Sequence, residues 1–232
     1  MAEGAGLLNA IIEAVFPGRC LLCGHWLFPS GDSGAPVCSA CRAALPRIVG
    51  ERCGKCSAPL SSELGTCRRC RETDYAFDSN LSLFEYSGAI KQLIAEFKFS
   101  GRIRLSRLFA SLLAMPIRGS HPGIPVVPVP PRPRRRTTDA VGMIAECLRR
   151  DEGLPILALL ERTGGVAQKS LDFDHRRENL RGRIRLAGPK GPPREVVLLD
   201  DVFTTGATAD ACAGVLRAAG CCSIFVVTLA LD

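Results

Sequence analysis

The sequence predicts an α/β protein: a parallel β-sheet flanked by helices, preceded by a small cysteine-rich module. Three observations lead there. Eight of the 12 cysteines form four Cys-x-x-Cys pairs between residues 20 and 70. From about residue 76, β-branched apolar runs alternate with segments of helical period, the pattern of a parallel sheet covered on both faces. The apolar run 196–199 leads into Asp200-Asp201 and a Thr/Gly turn. The 232 residues are 47% hydrophobic and 23% charged, which argues against long disorder. The expected division is an N-terminal amphipathic helix (1–19), a cysteine-rich module (20–75) and an α/β domain (76–232).

Leu7, Leu8, Ile11, Ile12, Val15 and Phe16 recur at helical spacing until Pro17-Gly18 stops them. The polar face lacks the Lys and Arg of a membrane-surface helix, so the helix is expected to pack on its own protein. No apolar run is long enough to span a bilayer. Glu3 and Glu13, with no early Lys or Arg, are the wrong charges for a signal peptide. The chain is therefore expected to be cytoplasmic.

The pairs are Cys20/Cys23, Cys38/Cys41, Cys53/Cys56 and Cys67/Cys70, with fourteen residues between the first two and ten between the last two. Each Cys-x-x-Cys turn brings two sulfurs to one ion, and two turns complete a tetrahedron. A redox role would need a single motif on a thioredoxin-like unit. The pattern predicts two structural four-cysteine Zn2+ sites, paired consecutively in the simplest case, with crossed pairing open. His25 follows the first pair, but eight cysteines already fill two sites. The segment is too small to fold on an apolar core alone, so the metal would supply the missing stability. Cys147, Cys212, Cys221 and Cys222 lie among apolar residues and read as small buried hydrophobes.

In the second part, 81–86, 124–129, 156–160, 196–199 and 224–229 read as strands. Segments 89–99, 103–115, 139–149 and 207–219 read as helices, the first two joined at Ser100-Gly101. Gly and Pro cluster at 186–193, a loop.

The segment Asp200-Asp201-Val202-Phe203-Thr204-Thr205-Gly206-Ala207-Thr208 carries the chemistry. Ligands of open α/β sheets bind beyond the carboxyl ends of strands. A turn opening a helix offers N–H groups at a positive helix end, which suits a phosphate. Thr204, Thr205 and Thr208 add hydroxyls, and Gly206 allows close approach. The carboxylates suit ribose hydroxyls and Mg2+. No GxxxxGK[ST] or GxGxxG occurs, so neither a P-loop nor a dinucleotide fold is supported.

This loop resembles the phosphoribosyl-pyrophosphate (PRPP) motif of type I phosphoribosyltransferases. The whole chain resembles the ComF family of competence proteins, which set a double zinc-ribbon module before a type I phosphoribosyltransferase-like domain. The matches are 16–24 (FPGRCLLCG), the helical segment ending EFKFSGR at 96–102, 126–130 (VVPVP), Gln168-x2-Leu171-x4-Arg176-x2-Asn179 and the loop itself. The resemblance implies a protein that binds PRPP with Mg2+ and serves DNA uptake. It places Asp200 and Asp201 on ribose and metal, and Thr204, Thr205, Gly206, Ala207 and Thr208 on the 5-phosphate. Arg134, Arg135 and Arg136 are the pyrophosphate candidates, Arg136 being the catalytic one. Gln168, Lys169, Arg176 and Asn179 would form a lid, where His175 could move a proton. Where the family carries Arg-Gly-Phe-Asn-Gln, this chain reads Arg136-Thr137-Thr138-Asp139-Ala140, which puts pyrophosphate handling and turnover in question. A salvage-type transferase acting on a base or amine stays open, as does a non-catalytic PRPP-sensing or single-stranded DNA-binding module.

The formal net charge of +7 falls to about +3 once two four-thiolate zinc sites form. The excess sits after residue 75, with 22 Lys and Arg against 16 Asp and Glu. A polyanion such as single-stranded DNA would meet those arginines, and a DNA-uptake helicase is the protein partner the resemblance implies.

Overall fold

A computed structural model describes residues 18–27, 35–60, 65–100, 102–131, 139–163, 182–189 and 191–232. The helix expected over 1–19 lies outside these residues apart from its end, where Gly18–Arg19 form a strand instead.

The cysteine-rich part holds β1 (Gly18–Arg19), β2 (Trp26–Leu27), α1 (Ser39–Ala43) and α2 (Arg68–Glu72). The rest runs β3 (Ser79–Glu85), α3 (Gly88–Ser100), α4 (Ile103–Ser120), β4 (Val126–Pro128), α5 (Ala140–Arg150), β5 (Leu160–Arg162), β6 (Ile184–Leu186), β7 (Glu195–Phe203), α6 (Ala207–Ala218) and β8 (Ser223–Leu231). Strands β3-β8-β7-β4 form one sheet in that order, every pair parallel.

The pleat divides the core. Val197, Leu199, Val227 and Leu229 face one side, with Phe97, Phe109, Ile117 and Ile144 of α3, α4 and α5. Val196, Leu198, Ile224 and Val226 face the other, with Cys212 and Leu216 of α6. Helix α5 after β4 and helix α6 after β7 thus cover opposite faces, which opens a crevice between the ends of β4 and β7.

Three expectations are revised. Helix α4 continues past Met115 to Ser120 with Pro116 inside. An interior proline costs a helix about 3 kcal/mol, but Leu105, Phe109, Leu113 and Ile117 are fully buried at helical spacing. Segment 156–160 is not a sheet strand. Ile156 makes an isolated bridge to Val126, and the paired residues are Leu160–Arg162, antiparallel to β6. A short run that is apolar at every position does not reveal its partner. Strand β7 continues through both acids to Phe203, paired to β8 at Asp200↔Thr228 and Val202↔Ala230. Among the described residues no helix is long and apolar enough to cross a membrane.

Candidate functional site

Two four-cysteine groups assemble with consecutive pairing, Cys20/Cys23/Cys38/Cys41 and Cys53/Cys56/Cys67/Cys70, each with its sulfurs within 4.8 Å of one another. The Cys23–Cys38 and Cys56–Cys67 Sγ–Sγ distances are 3.8 and 3.6 Å. A tetrahedron with Zn–S bonds of about 2.3 Å has edges near 3.8 Å, so the spacing fits zinc. Backbone N–H groups point at the sulfurs: Cys38 N to Cys20 Sγ at 3.4 Å and Cys67 N to Cys53 Sγ at 3.3 Å. Burial works against a charged Cys20, but backbone N–H donors outweigh it and pull the thiol down to about 6. The same balance brings Cys53 to about 7. Neighbouring sulfurs and burial push Cys41 up, and burial pushes Cys56 and Cys70 up, so the backbone donors favour the thiolate, the metal-binding form, at Cys20 and Cys53. These are two structural zinc sites. His25 belongs to neither group; its carbonyl accepts from Cys20 N at 2.8 Å.

A cleft of about 440 Å3 opens over the carboxyl ends of β4 and β7. Strand β4 pairs with β7 only as far as Pro128↔Leu199, so the following residues of β7 edge the cleft. Successive strand residues point to opposite faces, and the two acids do so. Asp201 turns to the α3 face, where Lys98 Nζ lies 2.7 Å from its Oδ2. Asp200 turns to the α6 face. There burial pushes the Cys212 thiol up, with the Asp200 charge adding and Arg162 opposing. Asp200 Oδ1 also accepts from Asp201 N at 2.9 Å. Lys98, Arg162, Asp200 and Asp201 all line the cleft.

The Thr/Gly turn forms one wall. Thr204, Gly206, Ala207 and Thr208 line it. The Thr205 hydroxyl instead accepts from Ala207 N at 3.4 Å, closing the turn. Gly206 has φ +80°, and a Cβ there would sit 2.8 Å from Phe203 Cζ and 3.1 Å from Tyr75 Cε1. Both backbone shape and space therefore require glycine.

Residues from the second cysteine group reach this turn. Arg69 Nη2 donates to the Thr204 carbonyl at 3.1 Å, and Tyr75 Oη donates to the Thr205 carbonyl at 3.0 Å. Arg69 Nε donates to Tyr75 Oη at 3.2 Å. Burial raises the Tyr75 pKa, which keeps the hydroxyl a donor. Buried Asp210, in the first turn of α6, accepts from Ala76 N at 2.8 Å.

Arg134, Arg135 and Arg136, and the lid candidates Gln168, Lys169, His175, Arg176 and Asn179, lie outside the described residues. The described residues flanking 132–138, Pro131 and Asp139, both line the cleft. Those flanking 164–181 belong to the β5–β6 hairpin or adjoin it, with Thr163 N donating to Arg183 O at 2.8 Å.

Sequence reasoning missed Lys98, Arg162, Arg69 and Tyr75. Lys98 carried a signal, since it is the lone cation between Phe97 and Phe99. Arg162 follows a segment whose partner strand was not legible. Arg69 and Tyr75 looked like surface and linker residues.

Residues 11–71 match the family described as the double zinc ribbon domain. The chain is 29% identical over 216 residues to the competence protein ComFC of Streptococcus pneumoniae, covering 87% of this chain and 94% of that relative. It is 28% identical to competence protein F of Haemophilus influenzae, covering 88% and 93%. It is 26% identical to the DNA utilization protein YhgH of Escherichia coli K12, covering 90% and 95%.

Proposed function

Since this chain belongs to the ComF family of competence proteins, we propose that it serves DNA uptake and binds PRPP with Mg2+ in the cleft. The observation that carries the ligand reading is one strand end placing Asp200 and Asp201 beside the Gly206 turn that opens α6. Thr204 and Thr208 hydroxyls and the N–H groups of the turn bind the 5-phosphate. Asp200 and Asp201 accept from ribose hydroxyls, one from each face of the strand. Lys98 balances the Asp201 charge and is a cation for the pyrophosphate end, alongside Arg136. Mg2+ would neutralise charge on the pyrophosphate and ease its departure. Single-stranded DNA and a DNA-uptake helicase are the proposed macromolecular partners; the names of the relatives speak of competence and DNA utilization. Single-strand affinity should then fall with salt at a slope of about 0.7 per neutralised phosphate. Affinity that is absent at low salt or indifferent to it rejects the DNA partner.

Calorimetry tests the ligand. PRPP should bind in a Mg2+-dependent way. The double variant Asp200→Asn/Asp201→Asn should bind it roughly two to four decades more weakly, losing far less affinity for inorganic phosphate. Equal PRPP affinity in both proteins overturns the assignment. Pyrophosphate release that depends on an added base or amine would show a transferase rather than a binding module.

A further inference from the structure

We infer that the second zinc ribbon sets the shape of the phosphate loop, with Arg69 and Tyr75 as positioning residues that hold its carbonyl groups. This rests on reading 204–208 as the phosphate-binding turn.

Peptide planarity supplies the mechanism. The carbonyl of Thr204 and the N–H of Thr205 share one rigid plane and point in opposite directions, as do the carbonyl of Thr205 and the N–H of Gly206. Arg69 holds the first carbonyl and Tyr75 the second, at 3.1 and 3.0 Å. Anchoring both carbonyls on the ribbon side turns the two N–H groups away from the ribbon. An anion-binding turn depends on that orientation.

Four further contacts brace the same unit. The Tyr75 ring lies under Gly206, where a Cβ would approach its Cε1 to 3.1 Å. That ring stacks on Phe77 at 4.8 Å, and Phe77 meets Phe203 edge-on at 5.8 Å. Ala76 N donates to buried Asp210 in the first turn of α6. Arg69 lies between Cys67 and Cys70, two residues of the second cluster. The orientation of α2, and so of the Arg69 guanidinium, therefore follows from a closed cluster. The first ribbon has no counterpart: position 40, which matches Arg69 in the second Cys-x-x-Cys of its ribbon, is alanine.

The test uses full-length, zinc-loaded protein with Tyr75→Phe, Arg69→Gln and Arg69→Lys. Tyr75→Phe removes one oxygen and keeps the ring. Zinc content should stay at two per chain in all three. The NMR order parameters of the Thr205 and Gly206 amides should fall from the rigid value of about 0.85 toward 0.6 in Tyr75→Phe and Arg69→Gln, and PRPP–Mg2+ affinity should weaken about tenfold. Arg69→Lys, which keeps a donor, should recover part of both. Wild-type order parameters in Tyr75→Phe and Arg69→Gln overturn the inference. If the wild-type protein fails to bind PRPP, the ligand reading falls, while the order parameters still decide whether the clamp exists.

Discussion

The two zinc ribbons are built alike and attached differently. In the first, Cys20 N donates to His25 O and Gly24 N to Cys20 O, at 2.8 and 2.9 Å. In the second, Cys53 N donates to Ala58 O and Ser57 N to Cys53 O, at the same two distances. The residue after each first pair is left-handed, Gly24 at φ +72° and Ser57 at φ +67°. The surroundings differ. Leu21, Leu22 and Leu27 of the first ribbon pack on the core face covered by α3 and α4. Its hairpin shows solvent a half-exposed Trp26 under the Arg19 guanidinium. The segment after it lines the edge strand, where Ile48 N donates to Leu83 O and Glu85 N to Pro46 O. The second ribbon packs on the α6 face through Cys53, Cys56 and Tyr75 and joins a buried polar cluster. Ser57 Oγ donates to Asn80 O at 2.7 Å and accepts from Ser82 N, and Asn80 Nδ2 donates to Cys56 O. One metal motif thus serves as an edge cover in one place and a support for the 204–208 turn in the other. The non-ligating residues decide which.

The largest separation should come from removing each metal. Cys53→Ser, at a buried ligand joined to the α6-side core, should leave one zinc per chain and lower Tm by about 10 °C or more. Cys23→Ser, at an exposed ligand, should also leave one zinc but cost less than half as much Tm. Elemental analysis with thermal unfolding compares the two, and a reversed order breaks the contrast.

Next come the left-handed glycines. Gly206→Ala meets both strain and the Phe203 and Tyr75 rings, so it should lose about 2–4 kcal/mol by chemical denaturation and most of its PRPP affinity. Gly24→Ala meets nothing within 4 Å and should lose about 1 kcal/mol with PRPP affinity intact. Ser57→Ala keeps the backbone strain and loses two buried hydrogen bonds, for about 1–3 kcal/mol. The smallest effect belongs to Arg68→Ala. Its ion pair with Glu72 has side chains 85% and 62% exposed, and such pairs contribute little; Tm should not move measurably.

Much of this was legible in the sequence. The four Cys-x-x-Cys pairs announced two metal clusters, since sulfur spacing is a local property. The strand-helix alternation announced the parallel sheet, since periodicity reports burial. The end of β7 was not legible, because carboxylates are poor strand formers and pairing with β8 overrides that preference. The consequence was large: continuation of the strand through the acids sends Asp200 and Asp201 to opposite faces, Asp201 to within 2.7 Å of Lys98 Nζ. The role of Arg69 and Tyr75 was hidden for another reason. Their partners at Thr204 and Thr205 are separated from them by 135 and 130 residues, and a carbonyl contact leaves no mark on the residue that accepts it.

One titration tests the difference between the ribbons most directly: PRPP with Mg2+ against folded Cys23→Ser and Cys70→Ser proteins, each verified to hold one zinc. Loss of the first site should leave affinity within about twofold of wild type, and loss of the second should weaken it about tenfold or more. Equal losses in the two proteins, or the greater loss in Cys23→Ser, would contradict the coupling of the second ribbon to the cleft.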